Sequence, residues 1–401
     1  MNSNINLENI SDYKKNLLTL ISYFNITDEG REKILNGGLV VYELEEYLDT
    51  PDAPFVGDNS LPKEFSKMLM ESTIGESAFM THRQLLYTLI SNGLGDLVIT
   101  NISDKKDNVL ANGFQAVTFV DSYGNKGFSY RGSDFSIIQG AARDWIEADM
   151  LEYFTGSSSQ VREMLEYFNE NKNSDGTNFL YGYSLGGNLV AHNYLHNYND
   201  VREAFSINGN PINQKLLDTD EKIAAFNDTE KFHCNIIGGD IIGHLKSHEL
   251  YKNNVRYVKN NDELINSPIS AHMIMASTYD QYGNFVYTSE KEMEAKMGVF
   301  RGTIVNITQN VREILNVFAN AISKTEYKPL FEEYSNITLS HFEALNKRLG
   351  TVSVGSIAST NSLVEKFKTL DPLKQQEFID MLLKQMEEGI ALSSEQSKVM
   401  N

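Results

Sequence analysis

The sequence FLYGYSLGGNL, at residues 179–189, decides the fold of this chain. An apolar run typical of a buried β-strand ends in the pattern G-x-S-x-G, and a run typical of a helix follows. This order predicts a sharp turn from strand to helix with Ser184 at its apex. Gly182 and Gly186 flank the apex because side chains there would collide with the neighbouring strand and helix. Ser184 then lies at a helix N-terminus, where free backbone N–H groups and the helix dipole favour a developing oxyanion.

The G-x-S-x-G pattern has two interpretations. It also arises in glycine-rich turns with an inert serine, and this chain has 27 glycines in 401 residues. The strand-like run before the serine and the helix-like run after it favour a nucleophile, because the nucleophile turn requires both flanks.

The composition is that of a globular protein with an acidic balance. Hydrophobic residues make up 41% of the chain and charged residues 22%, which excludes a chain disordered throughout. The formal net charge of −19 argues against nucleic-acid binding through a broad basic surface and against adhesion to an anionic membrane by charge. Contact with lipid would therefore have to be apolar. The length of 401 residues predicts two or three domains.

The cysteine content and the N-terminus bear on localisation. The single cysteine, Cys234, excludes an internal disulfide, and its place in a strand-like run predicts a buried side chain without a catalytic role. Residues 1–6 are polar and uncharged, unlike a secretory signal peptide. No apolar run reaches the roughly 20 residues that span a bilayer. We expect synthesis in the cytoplasm without a transmembrane segment, and any export by a route other than Sec.

Hydrophobic periodicity changes along the chain. Residues 8–97 show the spacing of amphipathic helices. From Leu97 onward, β-rich runs alternate with helical patterns, which predicts an α/β fold with a mostly parallel sheet covered on both faces. A turn at 122–125 predicts a hairpin between the strands on either side of it. Besides the strand that ends at Ser184, the predicted strands are 97–100, 114–120, 128–130, 203–208, 232–237 and 254–259, and the predicted helices are 138–154, 159–171 and 214–226.

The last part of the chain shows helical patterns only. Apolar residues occupy the a and d positions of a heptad run over 304–321. Asp371-Pro372 is typical of a helix start, with a capping residue before a proline. We therefore predict an α/β-hydrolase domain over residues 1–290, including an N-terminal helical segment of about residues 1–95, and an all-α module over residues 291–401.

Asp240 and His272 are the candidate partners of a serine nucleophile, which needs a base to take its proton and an acid to orient that base. Asp240 follows the predicted strand 232–237 through two glycines, and so lies where active-site loops of open α/β sheets gather. In an α/β-hydrolase the histidine follows the acid along the chain. His272, in a loop one strand later, fits this order best. His244 and His248 are the alternatives, although they lie close to Asp240 in sequence.

An oxyanion hole combines the N–H of the residue after the nucleophile, here Leu185, with an N–H from an earlier loop. The loop YRGSD at 130–134 follows a predicted strand upstream of Ser184, and Gly132 allows close approach of its backbone. Its donor would be the N–H of Ser133. From spacing alone, a plain strand-to-loop turn is an equal alternative.

Several of these motifs resemble the class 3 (fungal-type) lipase family. YRGS at 130–133, DWI at 144–146 and GYSLGG at 182–187 are similar to its motifs F-R-G-[TS], D-W-x-x-D and G-H-S-L-G-G. NGNP at 208–211 and SAH at 270–272 look closer to a bacterial branch, the Mbeg1-like lipase-fold proteins.

The resemblance covers roughly residues 95–290 and implies an enzyme that hydrolyses acyl esters of lipids, of the lipase or phospholipase A type, without a cofactor or metal. Tyr183 replaces the histidine that usually precedes the nucleophile, which affects substrate fit only. The competing class is a degenerate hydrolase fold that binds a partner without catalysis. The implied roles are Ser184 as nucleophile, Asp240 as orienting acid, His272 as base and Ser133 as oxyanion donor.

The apolar segment 135–142 follows the proposed oxyanion loop and contains a glycine. In lipases of this family, the segment after this motif often forms a lid. We therefore expect it to cover Ser184 and to open at a lipid interface.

A lipase-like domain joined to a helical module, without a signal peptide or cysteine pairs, resembles type VII secretion effectors of Gram-positive bacteria. Those effectors usually carry an LXG-like targeting module first, whereas here it would come last. The resemblance implies an antibacterial or virulence role, secretion by that route, small helical partner proteins and an immunity protein. Alternatively, the apolar stripe at 304–321 packs on other helices of its own domain, as in any core helix.

Overall fold

The strands lie side by side in the order in which they occur in the chain. The computed structural model describes residues 5–52, 81–104, 114–131, 159–212, 216–240, 243, 254–261, 276–299, 328 and 332. These residues form one eight-stranded sheet. Its strands are β1 (Leu39–Val40), β2 (Val98–Asp104), β3 (Gln115–Val120), β4 (Lys126–Tyr130), β5 (Asn178–Tyr183), β6 (Glu203–Ile207), β7 (Phe232–Ile237) and β8 (Val255–Val258).

The sheet is antiparallel on one side and parallel on the other. Strands β1 to β4 pair antiparallel, and β4 to β8 pair parallel, so four of these seven pairings are parallel. The predicted hairpin is confirmed by the pairing of β3 with β4. In its turn, Asp121 Oδ1 accepts hydrogen bonds from the backbone N–H groups of Tyr123 and Asn125. An α/β fold, predicted from the alternation of strands and helices, is therefore confirmed.

Helices come both before the sheet and between its parallel strands. The α-helices of the described residues are α1 (Asp12–Leu18), α2 (Asp28–Gly37), α3 (His82–Ser91), α4 (Ser159–Asn171), α5 (Leu185–Asn197), α6 (Asp220–Phe226) and α7 (Glu290–Val299), and the 3₁₀ segments are Leu7–Asn9, Ile21–Tyr23 and Val41–Tyr47.

Two predicted elements differ from the structure. Within the region predicted to be mainly helical, Leu39–Val40 forms β1 by pairing with β2. The helix predicted over 214–226 begins only at Asp220, because Thr219 Oγ1 accepts the backbone N–H of Lys222 and caps the helix there.

Alternate side chains of the central strands serve two separate cores. On one face, Phe179, Tyr181 and Tyr183 of β5 pack with helix α3 and with residues 5–48, which we call the N-terminal segment. On the other face, Leu180 packs with side chains of α4, α5, α6 and α7. Helices thus cover both faces, as the parallel part of the sheet requires.

Polar contacts between distant parts of the sequence tie the N-terminal segment to the sheet. The Leu7 N–H donates to Asp121 Oδ2 at 2.8 Å, and Lys15 of α1 forms a buried ion pair with Glu203 at the start of β6. His233 of β7 lies 3.4 Å from the same carboxylate. Burial lowers the pKa of His233 to about 3, so this histidine is neutral at physiological pH. Of these two neighbours, Lys15 is therefore the one that places a positive charge beside Glu203.

Helix α7 spans the predicted boundary between the two domains. Met293 is fully buried in the core formed by α4, α5 and α6, and Met297 is also buried. The heptad run over 304–321 and the helix start at Asp371 lie outside the described residues, so the all-α module stays a prediction. In the part of the chain that the structure describes, no helix combines the length and apolar character needed to cross a bilayer.

Candidate active site

Ser184 lies at the turn between β5 and α5. All residues of β5 are buried, and Ser184 is the N-cap of α5. Its backbone has φ 57° and ψ −128°, and a conformation of this kind costs a non-glycine residue about 1–3 kcal/mol. The Ser184 N–H donates to Ile207 O at 2.9 Å, and Ser184 O accepts from the N–H of Gly187 at 2.9 Å. The turn therefore has the strained strand-to-helix geometry of a nucleophile elbow.

The glycines around Ser184 leave no space for side chains. A Cβ atom at Gly182 would lie 2.1 Å from Gly186 O, and a Cβ atom at Gly186 would lie 2.1 Å from Tyr130 O. A Cβ atom at Gly187 would lie 2.7 Å from Ser206 Oγ. The first turn of α5 therefore packs with its backbone against β5, β6 and the end of β4.

Asp240 lies just beyond the carboxyl end of β7. The chain turns there through Gly239, whose φ is +91°, and the Asp240 N–H donates to Ile237 O at 3.0 Å. The Asp240 side chain is fully buried, and its Oδ2 accepts the N–H of Gly243 at 2.9 Å. A buried carboxylate fixed in this way suits the orientation of a histidine.

Tyr183 is the residue of β5 next to the proposed nucleophile. It precedes Ser184 in β5 and is buried on the face that the N-terminal segment covers. Burial raises the pKa of Tyr183, and Tyr23 and the Asp240 carboxylate raise it further. Asp240 is therefore close enough to influence the pKa of Tyr183, the residue next to Ser184.

The chain that leaves β4 lies against the first turn of α5. The Arg131 guanidinium is hydrogen-bonded to Gln115 Oε1 and lies 5.2 Å from the centre of the Tyr23 ring. The Arg131 carbonyl carbon would be 3.0 Å from a Cβ atom at Gly186. Backbone from an earlier strand beside the helix N-terminus is the arrangement that an oxyanion hole requires.

Two of the predicted catalytic residues lie at the same edge of the sheet. Ser184 and Asp240 follow the carboxyl ends of the parallel strands β5 and β7. Leu185 is the first residue of α5, so its N–H is among those that a helix leaves without an intrahelical partner. Outside the described residues lie the predicted base His272, the alternative bases His244 and His248, the predicted oxyanion donor Ser133 and the predicted lid 135–142. All catalytic roles stay predictions.

Cys234 and His192 are further side chains of reactive type, and both are buried in the fold. Burial raises the pKa of the Cys234 thiol to about 12, so the thiolate needed for nucleophilic attack does not form at neutral pH. His192 is fully buried within α5. Across the described ranges, no group of His, Cys, Asp and Glu side chains could hold a metal ion.

No sequence pattern assigned a role to Tyr23, whose ring lies beside the Arg131 guanidinium, or to Asn208, which follows the residue that accepts the Ser184 N–H. Tyr23 comes from the N-terminal segment, and no spacing pattern links it to Ser184. Asn208 has φ 48°. The NGNP motif after β6 could have indicated this turn. Asparagine is among the non-glycine residues that most readily adopt a left-handed backbone conformation.

Together these features define an α/β protein with a strained serine between a parallel strand and a helix. Residues 90–318 match the Mbeg1-like family. Because the match covers more than half of the chain, this protein belongs to the Mbeg1-like family, and the resemblance to that family found in the sequence is confirmed. No curated protein and no solved structure matches the chain significantly.

Proposed function

We propose that this protein is a serine ester hydrolase of the lipase or phospholipase A type, which cleaves acyl esters of lipids. The backbone of Ser184 carries the proposal: a buried serine with φ 57° at the N-terminus of α5. Backbone strain of this kind persists only where the surrounding structure imposes it, and it is concentrated at functional sites. Membership of the Mbeg1-like family supports the same interpretation.

In the proposed mechanism, Ser184 Oγ attacks the ester carbonyl carbon while His272 takes its proton. The negative charge of the tetrahedral intermediate forms on the former carbonyl oxygen, which accepts hydrogen bonds from the N–H groups of Leu185 and Ser133. Collapse of the intermediate breaks the bond to the alcohol oxygen, and His272 returns the proton to that oxygen. Water then releases the acyl group by the same steps, while Asp240 orients the imidazole throughout.

Within the predicted module 291–401, the proposal assigns the residues that follow α7 to a helical unit for partner binding and export by a type VII route. The heptad run over 304–321 supports it, because an apolar stripe is a surface that a small helical partner protein could bind. An effector of this kind would also have an immunity protein that protects the producing cell.

Ser184→Ala tests the proposed chemistry. We expect the variant to lose ester hydrolysis by several orders of magnitude, and to lose labelling by a fluorophosphonate probe, because no comparable attacking group remains. Ser91→Ala is the matched control, since Ser91 is an exposed serine at the end of α3 and should change neither readout. Circular dichroism and thermal unfolding confirm that each variant is folded.

Two results would overturn the proposed function. One is near-wild-type hydrolysis by folded Ser184→Ala. The other is a folded wild-type protein that neither reacts with the probe nor hydrolyses a panel of lipid and soluble esters. The second result favours the competing class, a degenerate hydrolase fold that binds a partner.

A further inference from the structure

The end of β6 changes direction sharply at Asn208. This residue is fully buried and has φ 48°, a left-handed conformation that asparagine tolerates better than most side chains. Its N–H donates to Asn235 O at 2.8 Å, one step beyond the last paired residues of β6 and β7, Ile207 and Asn235. Asn208 therefore lies where the ladder between these two strands ends.

On one side, Asn208 adjoins the backbone that holds the nucleophile. The residue before it, Ile207, accepts the N–H of Ser184 at 2.9 Å. The residues after it pack on α5. A Cβ atom at Gly209 would lie 2.9 Å from Asn188 N, and Asn188 Nδ2 donates to the Asn210 carbonyl oxygen at 2.9 Å. The position of Asn208 is thus fixed relative to Ser184.

On the other side, the Asn208 side chain holds the strand that leads to the acid. Asn208 Oδ1 accepts the backbone N–H of Ile237 at 2.8 Å. Ile237 is the last residue of β7, and its carbonyl oxygen accepts the N–H of Asp240 at 3.0 Å. The left-handed backbone turns the main chain of Asn208 out of the sheet, and the side-chain amide supplies a further bond to β7.

Three hydrogen bonds therefore connect Ser184 to Asp240 through Asn208, which is joined to Ile207 by a peptide bond. Each bond is between 2.8 and 3.0 Å, and all the residues involved are buried. Among the described residues, the Asn208 side chain thus adds a second link between the ends of β6 and β7, beyond the backbone bond from the Asn208 N–H to Asn235 O.

We propose that Asn208 is a positioning residue that sets the place of Asp240 relative to Ser184, through its bond to Ile237. The inference rests on the proposed ester hydrolysis and assigns to it a residue outside the proposed catalytic set of Ser184, Asp240 and His272.

Two substitutions at residue 208 separate backbone from side chain. Asn208→Gly keeps the left-handed backbone, which glycine adopts without strain, and removes the acceptor for the Ile237 N–H. Asn208→Asp keeps both the backbone tolerance and an acceptor oxygen in the same place. We expect Asn208→Gly to lower kcat on a soluble ester by about 10-fold or more with KM little changed, because small misplacement of catalytic groups slows the reaction strongly. Asn208→Asp should restore most of kcat.

Asn254→Gly is the matched control. Asn254 is also fully buried, and its side-chain amide donates to one backbone group, the Phe226 carbonyl oxygen, at 2.6 Å. It lies just before β8, at the amino ends of the parallel strands and therefore away from Ser184 and Asp240. It should lower thermal stability as Asn208→Gly does and leave kcat per folded molecule unchanged. The rate of labelling by the fluorophosphonate probe should follow kcat in all variants.

The outcomes separate this inference from the proposed function. If wild type is labelled and folded Asn208→Gly is labelled at the same rate, the positioning role is wrong and the hydrolase proposal stands. If Asn208→Asp is as slow as Asn208→Gly, or Asn254→Gly is equally slow, the bond to Ile237 is not what matters and the inference also fails. If wild type is neither labelled nor active, both proposals are wrong.

Discussion

Gly186→Ala tests whether the contact between the first turn of α5 and the end of β4 sets the geometry of the site. A methyl group at residue 186 would lie 2.1 Å from Tyr130 O and 3.0 Å from the Arg131 carbonyl carbon. Both are backbone atoms, so no side-chain rotation relieves the overlap. The two segments must part by about 1 Å to reach an ordinary contact distance.

The expected effect is larger on catalysis than on stability. Misplacement of catalytic groups by about 1 Å costs on the order of 100-fold in rate, which corresponds to about 2.7 kcal/mol of transition-state stabilisation. Overpacking of a well-packed site lowers the free energy of unfolding by about 1–3 kcal/mol. The variant should therefore be folded at room temperature, less stable to heat, and nearly inactive.

The assay is steady-state hydrolysis of a soluble nitrophenyl ester, with thermal unfolding measured on the same samples. Gly37→Ala is the control, because Gly37 ends α2 and a Cβ atom there meets nothing within 4 Å. It should leave kcat/KM unchanged. If folded Gly186→Ala keeps kcat/KM within about twofold of wild type, a change below roughly 0.4 kcal/mol, this contact does not shape the active site.

Two further predictions concern the proposed base and the C-terminal residues. His272→Ala should lower kcat nearly as much as loss of the nucleophile, because the catalytic residues act as a unit. Steady-state kinetics measure this, and an active His272→Ala with an inactive His244→Ala would reassign the base. Deletion of residues 319–401 should leave much of the activity on a soluble ester, since the family match ends at residue 318 and buried Met297 is retained. In the full chain, replacing Ile307 and Ile314 of the heptad run with Asp should abolish partner binding in pull-downs and export in secretion assays, and unchanged export would refute that role.

Most strands of this sheet could be predicted because each contains an apolar run of sufficient length. β5, β6 and β7 are buried along their whole length, so their hydrophobic patterns are unambiguous. β2 extends to Asp104, beyond the predicted end at residue 100, because its polar half pairs with β3. β1 has two residues and owes its strand conformation to pairing with β2. Neither feature leaves a periodic signal.

The candidate site was predictable where local chemistry determines it. The turn at Ser184 follows from two glycines and the runs beside it, and the place of Asp240 follows from the end of an apolar strand. The contacts of Tyr23 with Arg131 and of Asn208 with Ile237 depend on which strands become neighbours. Such contacts follow from the three-dimensional pairing, which no short sequence window contains.

The closure of the N-terminal segment over the sheet has a consequence for biosynthesis. Phe285 N–H donates to Asp12 Oδ2 across 273 residues of sequence, and Lys15 bonds Glu203 across 188. At about 5–20 residues per second, Asp12 of α1 is synthesised roughly 14 to 55 s before Phe285. A domain with such contact order gains its native structure late and slowly. Until then its apolar N-terminal helices remain exposed, so we expect a chaperone to hold the nascent chain.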